Sequence, residues 1–168
     1  MTYPDVAAPL RAFDTAIAKA SSDDAVFAAL HGLADAVAGA KLFTVMTVDM
    51  PAGLARRAYT SDTVNYPGAG TKPIVHNSWF DVVHKERRTF VANTIDAIAD
   101  VFPDYALIDS LGCQSVVNLP VVLGDELVAT VNMLDVEGHY TPERVAAIET
   151  YLSVPAKLAC LLTRRPLT

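Results

Sequence analysis

Val6, Leu10, Phe13 and Ile17 recur at spacings of four, three and four, the seam of an amphipathic helix. Ser21 or Ser22 is placed to cap a second helix. Asp23 and Asp24 fall in its first turn, where carboxylates meet the positive end of the helix dipole, and Val26, Leu30, Leu33 and Val37 share one face. Gly39 is a suitable stop. The pattern then turns from helical to extended. KLFTVMTVD, 41–49, is rich in β-branched and aromatic residues, MPAG at 50–53 is a turn, and LARRAYTS, 54–61, is the returning arm of a hairpin. The Asn, Pro, Gly and Thr of 62–72 show little periodicity and predict a loop.

The middle of the chain breaks into short pieces. Asn77 or Ser78 caps a short helix through Trp79, Phe80, Val83 and His84, and 89–91 is long enough only for a small strand. Asn93 or Thr94 caps another short helix carrying Ile95, Ile98 and Ala99, and Pro103 restarts the chain into a third over 104–110. Gly112 is a left-handed stop before the next strand. The runs 114–123 and 126–135 flank Gly124-Asp125, the strongest hairpin signal in the sequence. Gly138 ends the second run. Thr141 and Pro142 then supply an N-cap and a first-turn proline for a long helix to about Arg165, with a kink expected at Pro155.

The order helix, helix, hairpin, irregular middle, hairpin, helix has hairpins where a parallel sheet would need helical crossovers. It predicts an α+β domain, with an antiparallel sheet carrying helices on one face and a cover of loops and short helices on the other. A length of 168 residues suits one domain: helices to 39, sheet and cover over 40–138, and a final helix over 139–168.

With 52% hydrophobic and 19% charged residues, disorder is not expected. A net charge of −6 argues against nucleic acid as a partner, and the basic runs Arg56-Arg57, 85–88 and Arg164-Arg165 are short. KERR, 85–88, reads as the solvated end of a helix. No apolar run approaches the ~18 residues that a bilayer span needs, and the N-terminus carries charges where a signal peptide is apolar, so no membrane partner is expected and the cytoplasm is the expected location. Cys113 and Cys160 have neither disulfide-framework nor metal-motif spacing. His31, His76, His84 and His139 form no metal-binding motif, so no metal is expected, and no motif names a cofactor.

The stretches RAYTSDTVNYPGAGTKP and WFDVVHKERRTFVANTIDAIADVFPDYALIDSLGCQSVVNLPVVLGDELVATVNMLDVEGHYT resemble the GAF domain family. The most specific piece is SLGCQSVVNLPVVLGDELVATVNMLD, which is similar to the family's two central strands. The resemblance implies a roughly six-stranded antiparallel sheet with the N- and C-terminal helices on one face. A small-molecule pocket beneath the cover at 64–112, and pairing of the terminal helices with a second subunit, are implied as well. It further implies a sensory or regulatory module without catalytic residues. The apolar stripes of the helices at 5–19 and 142–163 suit a homodimeric bundle. The NKFDE signature of cyclic-nucleotide GAF domains and the Cys-His pair of bilin-binding ones are absent, so the expected ligand is an unidentified small organic molecule.

The resemblance also raises an enzymatic alternative, the free methionine-R-sulfoxide reductases, for which Cys113 is the redox candidate. That group carries a cysteine about four residues after a Phe-Pro pair and an acid early in the following strand. Here Leu107 or Ile108 stands near the first position and Val116 and Val117 near the second. Cys113 also follows a helix C-terminus, whose dipole opposes a thiolate. A third reading is an interaction module without a ligand.

The candidate ligand-binding residues are Trp79, His84, Tyr105, Gln114, Asn118, Thr130, Asn132 and Arg57. A three-residue turn at 124–126 brings Asn118 opposite Asn132, with Gln114 and Thr130 on the same face. A two-residue turn would put the two asparagines on opposite faces, because one residue of slip flips every side chain. Grouped buried amides imply mutual hydrogen bonds or a ligand, since each costs roughly 1–3 kcal/mol if left unpaired. Trp79 and Tyr105 supply aromatic wall. Arg57 is expected to share a strand face with Tyr59 and to reach an anionic group.

Overall fold

The computed structural model describes residues 5–68 and 70–165. Residues 1–4 of the charged N-terminal stretch, Ala69 in the expected loop and the last three residues of the 139–168 unit lie outside the described residues. The opening helices are α1 (Ala7–Lys19) and α2 (Asp23–Val37). Ser22 caps α2 by accepting a hydrogen bond from the Ala25 N–H at 3.1 Å, and Asp23 and Asp24 occupy its first turn. The final helix α6 (Pro142–Thr163) is capped by Thr141 and continues through Pro155, ending two residues short of the expected boundary.

These helices form a layer on one face of a six-stranded sheet. The strands are β1 (Leu42–Asp49), β2 (Leu54–Thr60), β3 (Lys72–Pro73), β4 (Phe90–Ala92), β5 (Ser115–Leu123) and β6 (Glu126–Asp135), in spatial order β3-β2-β1-β6-β5-β4. Every recorded pairing is antiparallel. Phe43, Val45, Val117, Leu119, Val131 and Met133 face the helices and bury Phe27, Leu30, Leu33, Ile148 and Leu152. Full burial of each such side chain is worth about 1.5–3 kcal/mol, which is why this layer carries most of the core.

Two β-bulges correct the sequence reading. The β5–β6 turn is a two-residue one: Leu123 pairs with Glu126, and Gly124 and Asp125 take φ of 56° and 63°, the left-handed pair that a type I′ hairpin turn requires. Asn118 nevertheless pairs with Asn132, because Val121 pairs with Ala129 and Val122 with Leu127, leaving Val128 as an extra residue. The bulge restores the register that the expected three-residue turn was meant to supply. In β2, Val45 pairs with Tyr59 but Met46 with Arg57. Ala58 is the extra residue there, so Arg57 and Tyr59 do not share a face. Tyr59 packs in the helix layer against Phe27, His31 and Phe43.

The other face of the sheet lies under the short elements α3 (Ser78–Phe80), a π-helical turn (Asp81–Lys85), α4 (Ile95–Ala99) and α5 (Tyr105–Ser110). Asn77 Oδ1 accepts from the Phe80 N–H at 3.0 Å and Thr94 Oγ1 from the Ala97 N–H at 3.2 Å, so two expected caps hold two of these pieces. Gly112, at φ 78°, ends the cover and turns the chain into β5. A second core forms beneath it from Leu42, Ile98, Ile108, Cys113, Val116 and Leu134. Contrary to the expectation from apolar run length, α6 is a helix long and apolar enough to cross a membrane. Its buried residues Ala147, Ile148, Leu152, Ala156, Ala159 and Cys160 belong to the helix-layer core.

Candidate functional site

The strand registers place Phe90, Asn118, Asn132, Thr44 and Thr60 in one row across the sheet on the covered face. The polar members are buried: Asn118 is 3% exposed, Asn132 8% and Thr44 4%. They are joined end to end. The indole Nε1–H of Trp79, on α3, donates to Asn118 Oδ1 at 2.9 Å. Asn118 Nδ2 donates to Asn132 Oδ1 at 2.7 Å, and Asn132 Nδ2 donates to Thr44 Oγ1 at 3.1 Å. This chain of bonds runs from the cover through β5 and β6 to β1. It is uncharged throughout, so desolvation is offset by pairing alone.

The next row holds Pro120, Thr130, Met46 and Arg57. Thr130 is buried, and its hydroxyl has no hydrogen-bond partner among the described residues; His84 Nδ1 and Arg87 Nη1 are in the same condition. His84 stacks on Phe80 at 4.7 Å, and His76 meets the same ring edge-on at 4.6 Å. Burial lowers the His84 pKa below its ordinary value, helped by the nearby cation Arg87, so the ring is neutral at pH 7.

Arg57 closes the cover elsewhere. Its guanidinium lies 3.7 Å from the centre of the Tyr66 ring, Nη1 donates to the Pro67 carbonyl at 2.8 Å, and Nη2 is 4.0 Å from Asp104 Oδ2. The Tyr66 hydroxyl donates to Asp104 Oδ2 at 2.6 Å, and burial pushes its pKa well above the usual tyrosine value. Arg57 therefore clamps the 62–68 loop to the start of α5. Gln114 donates to Asp109 Oδ1 at 2.8 Å, and Tyr105 is 44% exposed. Of the eight candidates, Trp79, Asn118 and Asn132 are bonded together, Thr130 lies one row away, and His84, Arg57, Gln114 and Tyr105 are engaged or exposed around them.

Three contributors escaped the sequence reading. Thr44 ends the amide chain; its signal is a hydroxyl in an apolar strand run, shared with Thr47 three residues on. Tyr66 and Asp104 make the clamp, and their separation of 38 residues leaves no local signal.

Cys113 is 1% exposed, and burial pushes its thiol up to about 11 despite the neighbouring Lys41. Cys160 is pushed up to about 12 by burial. Neither holds a thiolate at neutral pH, the opposite of what a redox nucleophile needs. Among the described residues no cluster of three or more His, Cys, Asp or Glu is arranged to hold a metal ion.

Two cavities lie away from the amide chain. One of about 450 Å³ lies where the start of α2 and the end of α6 meet β1, β2 and β6, among Asp23, Arg56, Glu126, Thr163 and Arg164. The other, about 460 Å³, lies at the outer edge of β5.

No family model matches the sequence, and no curated protein is similar to it. Solved structures are similar to the fold. The phycocyanobilin-bound GAF domain of a cyanobacterial phytochrome aligns with TM-score 0.67 and 14% identity over 94% of this chain and 97% of that one. A GAF domain/HD domain protein of Geobacter sulfurreducens aligns at 0.66 and 13% over 85% and 95%. The GAF domain of a two-component sensor histidine kinase of Bacillus halodurans aligns at 0.65 and 12% over 86% and 100%. The sheet order, the helix layer and the covered face are thus those of a GAF domain, and this is the fold of the chain.

Proposed function

We propose that the chain is a non-catalytic sensory module whose covered sheet face binds a small, uncharged organic molecule. The observation that carries this reading is the buried amide chain Trp79–Asn118–Asn132–Thr44, with the unpartnered Thr130 hydroxyl in the adjacent row. A ligand with both donor and acceptor groups replaces the indole on Asn118 and reaches Thr130, and Trp79 swings out with α3. Trp79 is the single tryptophan of the chain, so the experiment is its fluorescence on addition of the small-molecule fraction of the host cell. Binding shifts the emission to the red as the indole meets water. An unchanged spectrum, in a fraction that binds the protein by equilibrium dialysis, places the ligand elsewhere.

Dimerisation is part of the same proposal. On α6, Val154, Leu158, Leu161 and Leu162 are 72%, 40%, 57% and 52% exposed, at helical spacing on one stripe. A second copy of the chain covers them, which extends the helix layer into a bundle. The free, buried Cys113 and Cys160 suit the reducing cytoplasm, where we place the protein.

One observation favours a second reading, the interaction module without a ligand. The amides of the covered face satisfy one another in this conformation, the closed arrangement which that reading predicts. It gives a fluorescence spectrum insensitive to any small molecule while the α6 stripe still pairs.

A further inference from the structure

The outer edge of the sheet carries a groove on the opposite margin from the clamp. β5 runs through Leu123, but β4 pairs only with residues 116–118 of it. Beyond Asn118 the preceding segment 87–89 and the edge of β5 enclose, with α6, the cavity of about 460 Å³. Its floor is Leu119, Pro120 and Val122. Three cationic residues line it: Arg87 and Arg88 from the segment, and Lys157 from the helix. Glu149, Ser153 and Lys157 recur every four residues and so face the groove as one row.

The charge balance of this groove is opposite to that of the chain, which carries −6 overall. Its one lining acid, Glu149, accepts from the Thr89 hydroxyl at 2.6 Å; beside the groove, Glu86 Oε2 accepts from Arg88 Nε at 2.7 Å and Asp125 Oδ1 lies 3.8 Å from Arg87 Nη2. Among the described residues no ion pair is recorded for Lys157 and no hydrogen bond for the Ser153 hydroxyl. Arg87 holds φ 55°, a left-handed backbone that a non-glycine residue adopts at a cost of order 1–3 kcal/mol and that concentrates at functional sites. It is held there by Nη2 donating to the Asp125 carbonyl at 2.8 Å across the hairpin turn.

We propose that this groove is a second binding site, taking the phosphate or carboxylate group of a small anionic metabolite between Lys157, Arg88 and the Ser153 hydroxyl. The volume suits a small molecule; Lys157 and the Ser153 hydroxyl supply donors, and Arg88 exchanges its exposed pair with Glu86, of little net worth in water, for a charge-assisted contact to the anion. The site is independent of the covered face, so its failure leaves the sensory reading standing.

The test is a ¹⁵N-correlation NMR titration at low salt, with inorganic phosphate and citrate as separate probes. The expected result is saturable shifts of the Arg88, Thr89 and Ser153 amides with at least one probe, the stronger probe telling phosphate from carboxylate. Lys157→Gln weakens that binding about tenfold, the loss of one charge-assisted hydrogen bond, and Ser153→Ala weakens it less, both with unchanged melting temperature. Absence of saturable shifts at millimolar probe overturns the proposal. So does binding unaffected by Lys157→Gln, or capture of an acidic peptide with no response to either small anion.

Discussion

Replacing Asn118 by leucine tests whether the amide chain holds the sheet to its cover. The substitution keeps the branching and heavy-atom count of the side chain and removes both hydrogen bonds of the Asn118 amide. Asn132 Oδ1 loses its 2.7 Å donor and stays buried, and Trp79 Nε1 loses its 2.9 Å acceptor at a half-buried residue. A fully buried orphan costs roughly 1–3 kcal/mol, and the indole end costs less. The leucine recovers about 1 kcal/mol through added apolar burial. The net loss for Asn118→Leu is therefore about 1–3 kcal/mol. Asn132→Leu strands Asn118 Nδ2 and the Thr44 hydroxyl and costs a similar amount. The double variant leaves no stranded amide between the strands, and replacing both partners of a buried hydrogen bond by apolar groups is close to neutral for that bond. Its loss falls short of the sum of the single losses by about 1–2 kcal/mol. Urea denaturation with equal m-values measures all three. Additive losses, or a neutral Asn118→Leu, would refute the coupled chain.

The other predictions follow from exposure, charge and burial. Leu158→Glu combined with Leu161→Glu turns the proposed dimer into a monomer in sedimentation at micromolar concentration with no loss of helicity, since both side chains are exposed in the single chain; a dimer that persists contradicts pairing through this stripe. His31 and His84 both have pKa values lowered below 6.5, chiefly by burial. In the unfolded chain they bind protons first as pH falls, so stability is full above about 6.5 and declines through the lowered values below it. Thermal melting between pH 7 and 5 shows this decline, and His31→Gln shallows it; a flat profile contradicts the burial argument. With its thiol raised to about 11, Cys113 reacts with a thiol reagent in native protein at pH 8 far more slowly than a free cysteine; fast reaction would restore the redox alternative.

The sequence reveals the layers more readily than the details of the site. Caps at Ser22, Asn77, Thr94 and Thr141 are local signals, and each holds the helix it was expected to start. Asn118 opposite Asn132 followed from gathering polar residues on one face, although the turn invoked for it is wrong: the hairpin closes in two residues and Val128 bulges. A bulge inserts one residue without leaving a composition signal, and the same effect at Ala58 separates Arg57 from Tyr59. The π-helical turn at Asp81–Lys85 and the left-handed Arg87 are set by tertiary packing, as are the Tyr66–Asp104 contact and the groove beside β5. Burial also separates the candidates in a way residue type does not, leaving Tyr105 exposed while Thr44, never singled out, completes the amide chain.

Native mass spectrometry of the protein purified from its own host, compared with its denatured mass, tests the sensory reading most directly. A ligand held on the amide chain of a dimeric module gives a two-chain species carrying extra mass that leaves on denaturation, with that mass lost from the Asn118→Leu/Asn132→Leu variant. A clean mass with nothing bound, or a bound molecule retained unchanged by the double variant, would contradict a ligand held on the amide chain.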